Sequence, residues 1–244
     1  NTHCRGEENY RRSGVTDAMR IPKDAYYAHQ GMWDGWVDTE KPRTYLIGHW
    51  NYEPSVTKPV YVVSNADKVQ LFLNGKSLGW GKQEYRFLYT FENVAYEAGV
   101  LEAISYDETG NECSRARLET AGEPEALRLK LIQSPQGFKA DGADMVLVEV
   151  EVVDKAGRRC PLANDAIQFS LEGPAEWRGG IAQGPDNYIL SSTLPVECGV
   201  NRALIRSTTQ AGNIHLTASA KGLKPAELSF TSAPVESQNG LSTY

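Results

Sequence analysis

Three kinds of side chain in this sequence could carry chemistry: carboxylates, a histidine and tryptophans. Glu7 and Glu8 are adjacent in a polar, Arg-flanked segment, and Glu53 stands alone. A pair of carboxyl groups can act as acid and nucleophile on one bond only if they converge on it from different elements, which sequence neighbours do not. All three are expected to be solvated or structural. His49 sits beside Trp50 and Asn51. An imidazole can serve as acid, base or metal ligand, but no second histidine or cysteine lies near it in sequence, so it is expected to be a hydrogen-bonded strand or corner residue. Asp141-Gly-Ala-Asp144 is only superficially like a calcium loop: it lacks the further ligands and closing Glu of an EF-hand, and it is expected to form a turn. Cys4, Cys113, Cys160 and Cys198 are far apart, with no pair at ligand spacing, which predicts buried or half-buried free thiols and no metal site. No catalytic, cofactor-binding or metal-binding residue is assigned in this chain.

The tryptophans remain. Trp33, Trp36, Trp50, Trp80 and Trp177 could together offer the flat apolar faces on which sugar rings stack. Trp33 falls on the apolar stripe of a helix and Trp36 follows within one turn, so packing of that helix on the first sandwich is expected to account for both. Trp177 lies in a stretch, Gly173-Pro-Ala-Glu-Trp-Arg-Gly-Gly180, that reads as a Gly-rich loop. Loops carry binding more often than sheets do. Trp177, and after it Trp50, are therefore the candidate carbohydrate contacts.

The elements that must hold these groups are mostly strands. Val69-Gln-Leu-Phe-Leu-Asn74-Gly75-Lys-Ser-Leu-Gly79 alternates apolar and polar residues around Asn-Gly, the dipeptide of a tight hairpin turn with positive φ at both central positions. Asp107-Glu-Thr-Gly110 and Asp154-Lys-Ala-Gly157 repeat the signal between runs of β-branched and aromatic residues. The chain has 244 residues, enough for two sandwiches of about 100 residues each. The expected fold is mostly β: two tandem immunoglobulin-like β-sandwiches preceded by a short helical segment. Strands are expected near 45–48, 60–64, 69–74, 76–80, 86–91, 100–106 and 112–119, then near 127–132, 145–153, 166–171, 202–206, 214–220 and 226–232. Ile21-Pro-Lys-Asp24 opens a helix over 22–33, whose residues Ala25, Ala28, His29, Met32 and Trp33 make a stripe that must cover something. The boundaries are 1–43 for this segment and its linker, 44–122 and 123–235 for the sandwiches, and 236–244 for a polar tail. A net charge of −6 with no basic cluster offers nothing to a phosphate backbone, so no nucleic-acid partner is expected. No apolar run approaches the ~20 residues that span a bilayer, so no membrane span is expected. The first residues do not read as a signal peptide but as the interior of a longer polypeptide.

Gly14-Val-Thr-Asp-Ala-Met-Arg-Ile-Pro-Lys-Asp-Ala-Tyr-Tyr27 resembles the end of the catalytic TIM barrel of glycoside hydrolase family 2, the β-galactosidase and β-glucuronidase family, where such a segment starts the last barrel helix. Gly48-His-Trp-Asn-Tyr52, Lys58-Pro-Val-Tyr-Val-Val63 and Val69 to Gly79 are similar to the immunoglobulin-like domain that follows that barrel. Thr120-Ala-Gly122, Ala140-Asp-Gly-Ala-Asp144, Val152-Val-Asp154 and Ala211-Gly-Asn-Ile-His-Leu-Thr-Ala218 are similar to a further C-terminal sandwich. The resemblance implies that the two catalytic carboxylates of a β-galactosidase-like, retaining parent lie on barrel strands upstream of Asn1, and that Glu7 and Glu8 lie in the loop after the last barrel strand. It implies non-catalytic accessory domains whose partner is the rest of the same polypeptide, with no cofactor and a periplasmic or extracellular setting. The alternative from another class is a carbohydrate-binding or adhesion-type module that contacts an oligo- or polysaccharide without cleaving it.

Overall fold

A computed structural model describes residues 14–37, 41–183, 186–238 and 241–242. It divides into two units, the first spanning Gly14–Ala121 and the second starting at Gly122. The helical segment thus belongs to the first unit.

In the first unit, helix α1 (Asp24–Trp36) precedes eight strands: β1 (Thr44–Leu46), β2 (Thr57–Ser64), β3 (Lys68–Leu73), β4 (Lys76–Trp80), β5 (Lys82–Tyr85), β6 (Leu88–Ala95), β7 (Val100–Tyr106) and β8 (Glu112–Glu119). They form two four-stranded sheets, ordered β1-β2-β6-β5 and β4-β3-β7-β8, with all pairs antiparallel. The strand expected near 86–91 is β6, which starts at Leu88 after a turn at Arg86-Phe87, and the strand before that turn, β5, is an addition to the expected set that folds back on β6. Alternation does the sorting. Val69, Leu71 and Leu73 of β3 face Leu101 and Ala103 of β7 on one side of the core, and Val60, Val62, Tyr89 and Phe91 face them from the other sheet. The Asn74-Gly75 turn joins β3 to β4 with φ of 52° and 80°, as its sequence predicts. Its side chain then closes a neighbouring loop: Asn74 Oδ1 accepts from Val100 N at 2.8 Å, while Nδ2 donates to Ala98 O and Glu97 Oε1.

One end of this core is polar. The hydroxyls of Thr44, Ser64, Ser105 and Ser114 converge: Thr44 Oγ1 reaches across the sandwich to Ser105 Oγ at 2.8 Å and Ser114 Oγ at 2.5 Å, and lies 3.3 Å from Ser64 Oγ in its own sheet, so each hydroxyl has a partner.

The second unit carries β9 (Ala126–Ile132), β10 (Phe138–Lys139), β11 (Met145–Val153), β12 (Ala166–Glu172), β13 (Ala175–Gln183), β14 (Asp186–Ile189), β15 (Thr193–Pro195), β16 (Val200–Ser207), β17 (Gly212–Ser219), β18 (Ala226–Ala233), β19 (Ser237–Gln238) and β20 (Leu241–Ser242). Two five-stranded sheets, β14-β13-β16-β11-β9 and β10-β18-β17-β12-β15, enclose a core built from Val146, Val148, Val150 and Val152 of β11, Ala203 and Ile205 of β16, Ile167 and Phe169 of β12, and Ile214 and Leu216 of β17. The period of two in β11 places Val146, Val148, Val150 and Val152 on one face, and Val153 at the end of the strand is buried as well. The stretch read as a polar tail includes a short β19–β20 pair.

Candidate functional site

Helix α1 is the element whose placement differs most from its sequence pattern. Asp24 stands in its first turn, where a carboxylate favours the helix N-terminus, and accepts a hydrogen bond from Tyr45 Oη at 2.7 Å. Tyr27 stacks on Tyr45 at 4.5 Å, which seats the helix beside β1. The buried positions are Gly31, Asp34 and Gly35, not the expected stripe. A Cβ on Gly31 would lie 3.2 Å from Val63 Cγ1, a tight contact, and one on Gly35 only 2.4 Å from the Phe87 ring, so the absence of a side chain at Gly35 is what lets the helix backbone approach Phe87 this closely. Asp34 is buried because Arg43 forms an ion pair with it.

The opposite face is aromatic and wet. Trp33 and Trp36 are 64% and 65% exposed, with Tyr26 and Val37 exposed beside them. The expectation that the first sandwich covers both indoles is corrected. Trp36 meets Phe87 in a T-shaped contact at 5.4 Å, and Ala25 and His29 are exposed with Trp33. Packing density explains the inversion: a close helix–sheet contact selects small residues and leaves the bulky ones on the outer face.

Neither candidate sugar contact is a freely exposed indole. Trp50 is 2% exposed and its Nε1 donates to Glu97 O at 3.0 Å, with Tyr52 and Tyr96 packed around its ring. It is a core residue of the first sandwich and has no face free for a sugar. Its neighbours hold the sandwich closed: Asn51 Nδ2 donates to Ala121 O, Asn51 Oδ1 accepts from Ala121 N, and Thr120 Oγ1 donates to Trp50 O. His49 is the corner residue its surroundings suggested. Its Nδ1 accepts from Asn51 N at 3.1 Å, its ring stacks on Tyr52, and burial together with the Lys58 charge holds its pKa below the ordinary value against a smaller opposing effect of Asp24.

Trp177 lies on β13, not in a loop, and half of the misreading comes from its glycines. Cβ atoms at Gly179 and Gly180 would meet Tyr188 O at 2.7 Å and the Leu194 and Tyr188 side chains at 3.1 Å. These glycines mark a bulged strand under close contact rather than a flexible loop. The Trp177 ring packs on buried Phe169 at 5.1 Å and its Nε1 donates to Ser191 O, so the side chain is half-buried and its polar end is used. The exposed indole that the sequence did not single out is Trp80, on edge strand β4.

The remaining titratable groups are structural. Asp154 is almost wholly buried. Burial alone would raise its pKa, but hydrogen bonds from the backbone of Gly122, Arg158 and Ala156 and from the Arg158 guanidinium hold its carboxyl well below the usual carboxylate range. Asp107 is held at about 2 by hydrogen bonds from Thr109 and Asn111 within its own turn. Asp141 and Asp144 spend their oxygens on Ala143, Asp144, Lys139 and Met145 amides, which makes a turn of that segment. Among the described residues no cluster of His, Cys, Asp and Glu could hold a metal ion. Cys160 is buried, Cys113 half-buried, and Cys198, contrary to expectation, is exposed in a turn at φ 53°; all three are free thiols. Glu7, Glu8 and Cys4 lie outside the described residues.

Two family models match the chain. Residues 129–229, in the second unit, match Glycoside hydrolase family 2 C-terminal domain 5, and residues 56–114, in the first, match a Domain of unknown function (DUF4982). A β-glucuronidase of Formosa agariphila is 40% identical over 96% of this chain, and the β-galactosidase BoGH2A of Bacteroides ovatus is 31% identical over 89%. The chain spans only 23% and 25% of the length of these relatives. A solved β-glucuronidase from glycoside hydrolase family 2 superposes with a TM-score of 0.88 at 39% identity, covering 96% of this chain and 24% of that one. A β-glycosidase from Bacteroides vulgatus gives 0.77 at 27% identity, covering 88% of this chain and 27% of that one. By matched domains, relatives and fold together, the chain belongs to glycoside hydrolase family 2, as a C-terminal, accessory region of its enzymes.

Proposed function

We propose that this chain braces the catalytic part of a family 2 glycosidase and that the outer face of α1 is where the two parts of the polypeptide join. The observation that carries the reading is the pair of exposed indoles at Trp33 and Trp36. A Trp side chain buries 150–250 Å², so covering both at ~25 cal/mol/Å² is worth on the order of 6 kcal/mol as an upper bound. About three quarters of each relative's length lies outside the matched region, which supplies the covering surface. The parent's chemistry is retaining hydrolysis of a β-glycoside by two carboxyl groups about 5–5.5 Å apart, carried by residues beyond this chain. Relatives named for galactosides and for glucuronides match the same residues, so the sugar is chosen elsewhere in the parent. The setting we propose is the periplasm or the cell exterior, and no cofactor is needed.

The test compares Trp33→Ser/Trp36→Ser in two contexts. In the isolated chain the melting temperature stays within about 1–2 °C of the parent sequence, because the indoles are already wet. In the full polypeptide the double variant inactivates at lower temperature, read as residual hydrolysis of nitrophenyl β-glycosides after heating. An isolated chain that hydrolyses those substrates, or a full polypeptide indifferent to the double substitution, would overturn the proposal.

A further inference from the structure

We propose that a groove at the open edge of the first sandwich, with Trp80 in its wall, binds an uncharged polysaccharide. The groove encloses about 550 Å³ between β4 and the strands β5 and β6. Its floor includes the core residues Phe91 and Val94, and its sides include Lys76, Lys82, Glu92 and Glu97. Trp80 is 58% exposed at the end of β4, and Tyr106 meets its ring edge-on at 5.4 Å. That contact supports one side of the indole while leaving more than half of it in water, where a ligand ring can stack on it.

The chemistry selects the occupant. Two lysines and two glutamates around the groove cancel in charge, so nothing favours a polyanion or a polycation. A glycan hydroxyl both donates and accepts, and so satisfies ammonium and carboxylate groups alike, while the apolar face of a pyranose ring suits an exposed indole. An extended peptide would have to add to a strand edge. Both edges are unsuited to it: the β3–β4 register shifts between Leu71 and Phe72, opposite Leu78, and β5 shifts against β6 between Gln83 and Tyr85. Bulges of this kind break the regular row of donors and acceptors that strand addition requires.

The experiment is affinity electrophoresis of the 244-residue chain through gels containing uncharged galactan or xyloglucan and, separately, polygalacturonate, followed by tryptophan-fluorescence titration. The expected result is retardation by an uncharged polysaccharide, weakened about tenfold or more by Trp80→Ala, unaffected by Trp177→Phe, and partly retained by Trp80→Tyr, with unchanged circular dichroism for all three variants. No retardation in any uncharged gel, retardation by polygalacturonate alone, or equal binding by Trp80→Ala would overturn the proposal.

Discussion

The two units spend their aromatic residues differently. The first exposes Tyr26, Trp33, Trp36, Tyr61, Trp80 and Tyr85, whereas the exposed large apolar residues of the second are Met145, Leu162, Ile189 and Leu190, none of them aromatic, among the described residues. Both are two-sheet sandwiches with alternating cores, antiparallel throughout in the first unit and in the second apart from the parallel β10–β18 pair, so the contrast is not a matter of fold class. Scattered exposed aliphatic side chains are ordinary on any protein surface, but an exposed indole forfeits a large apolar area. The comparison teaches that exposed aromatic area is concentrated in the first unit, while in the second Trp177 packs internally against Phe169.

Removing the central indole of the first unit should give the largest effect. Trp50→Ala deletes a fully enclosed side chain and its bond to Glu97 O, and a loss of about 4 kcal/mol is expected in urea unfolding of the first unit, followed by near-ultraviolet circular dichroism. If the cores are separate, protease resistance of the second unit persists in that variant; its loss would break the division into two units. The counterpart in the second unit is Asp154→Ala, which orphans the Gly122, Ala156 and Arg158 donors and is expected to cost about 3 kcal/mol. Because the native carboxyl titrates below its unfolded value, its stabilisation is complete above the usual carboxylate range near pH ~4 and is lost as pH falls through and below it. An acid-unfolding profile of the second unit that is unchanged by Asp154→Ala would show that another group governs it. The smallest effect belongs to His49. Its native pKa lies below 6.5, so the neutral form is the folded one; the contribution is full above pH 6.5 and lost as pH drops below it. His49→Phe should flatten that part of the first unit's stability profile, measured as urea midpoints at pH 7 and pH 5.5.

Strand content and turn positions were legible because their physics is local. Asn74-Gly75, Gly110 and Gly157 all adopt the positive φ their turns demand, and the alternation in β3, β7 and β11 names the core residues directly. Helix α1 was legible as a helix but not in its orientation. Apolar periodicity gives weight to Trp33 and none to Gly31 or Gly35, although the distance to Val63 and Phe87 decides which face turns inward. Trp50 was hidden by its polar neighbours His49 and Asn51, whose roles are to close a corner. The glycines around Trp177 suggested mobility where the fold uses them for crowding, and Trp80 gave no signal because exposure on an edge strand depends on pairing far along the chain.

Helix α1 also implies an unusual pattern of mutational tolerance. On a typical surface helix, inward positions accept varied hydrophobic residues and outward positions accept almost anything polar. Here position 35 admits no added methyl group without displacing Phe87, so even a change to alanine is penalised there, and at position 31 a methyl group would press on Val63 at 3.2 Å. At 33 and 36 the bare chain accepts hydrophilic replacements freely, and any selection for tryptophan at those sites is imposed by its neighbour rather than by its own folding.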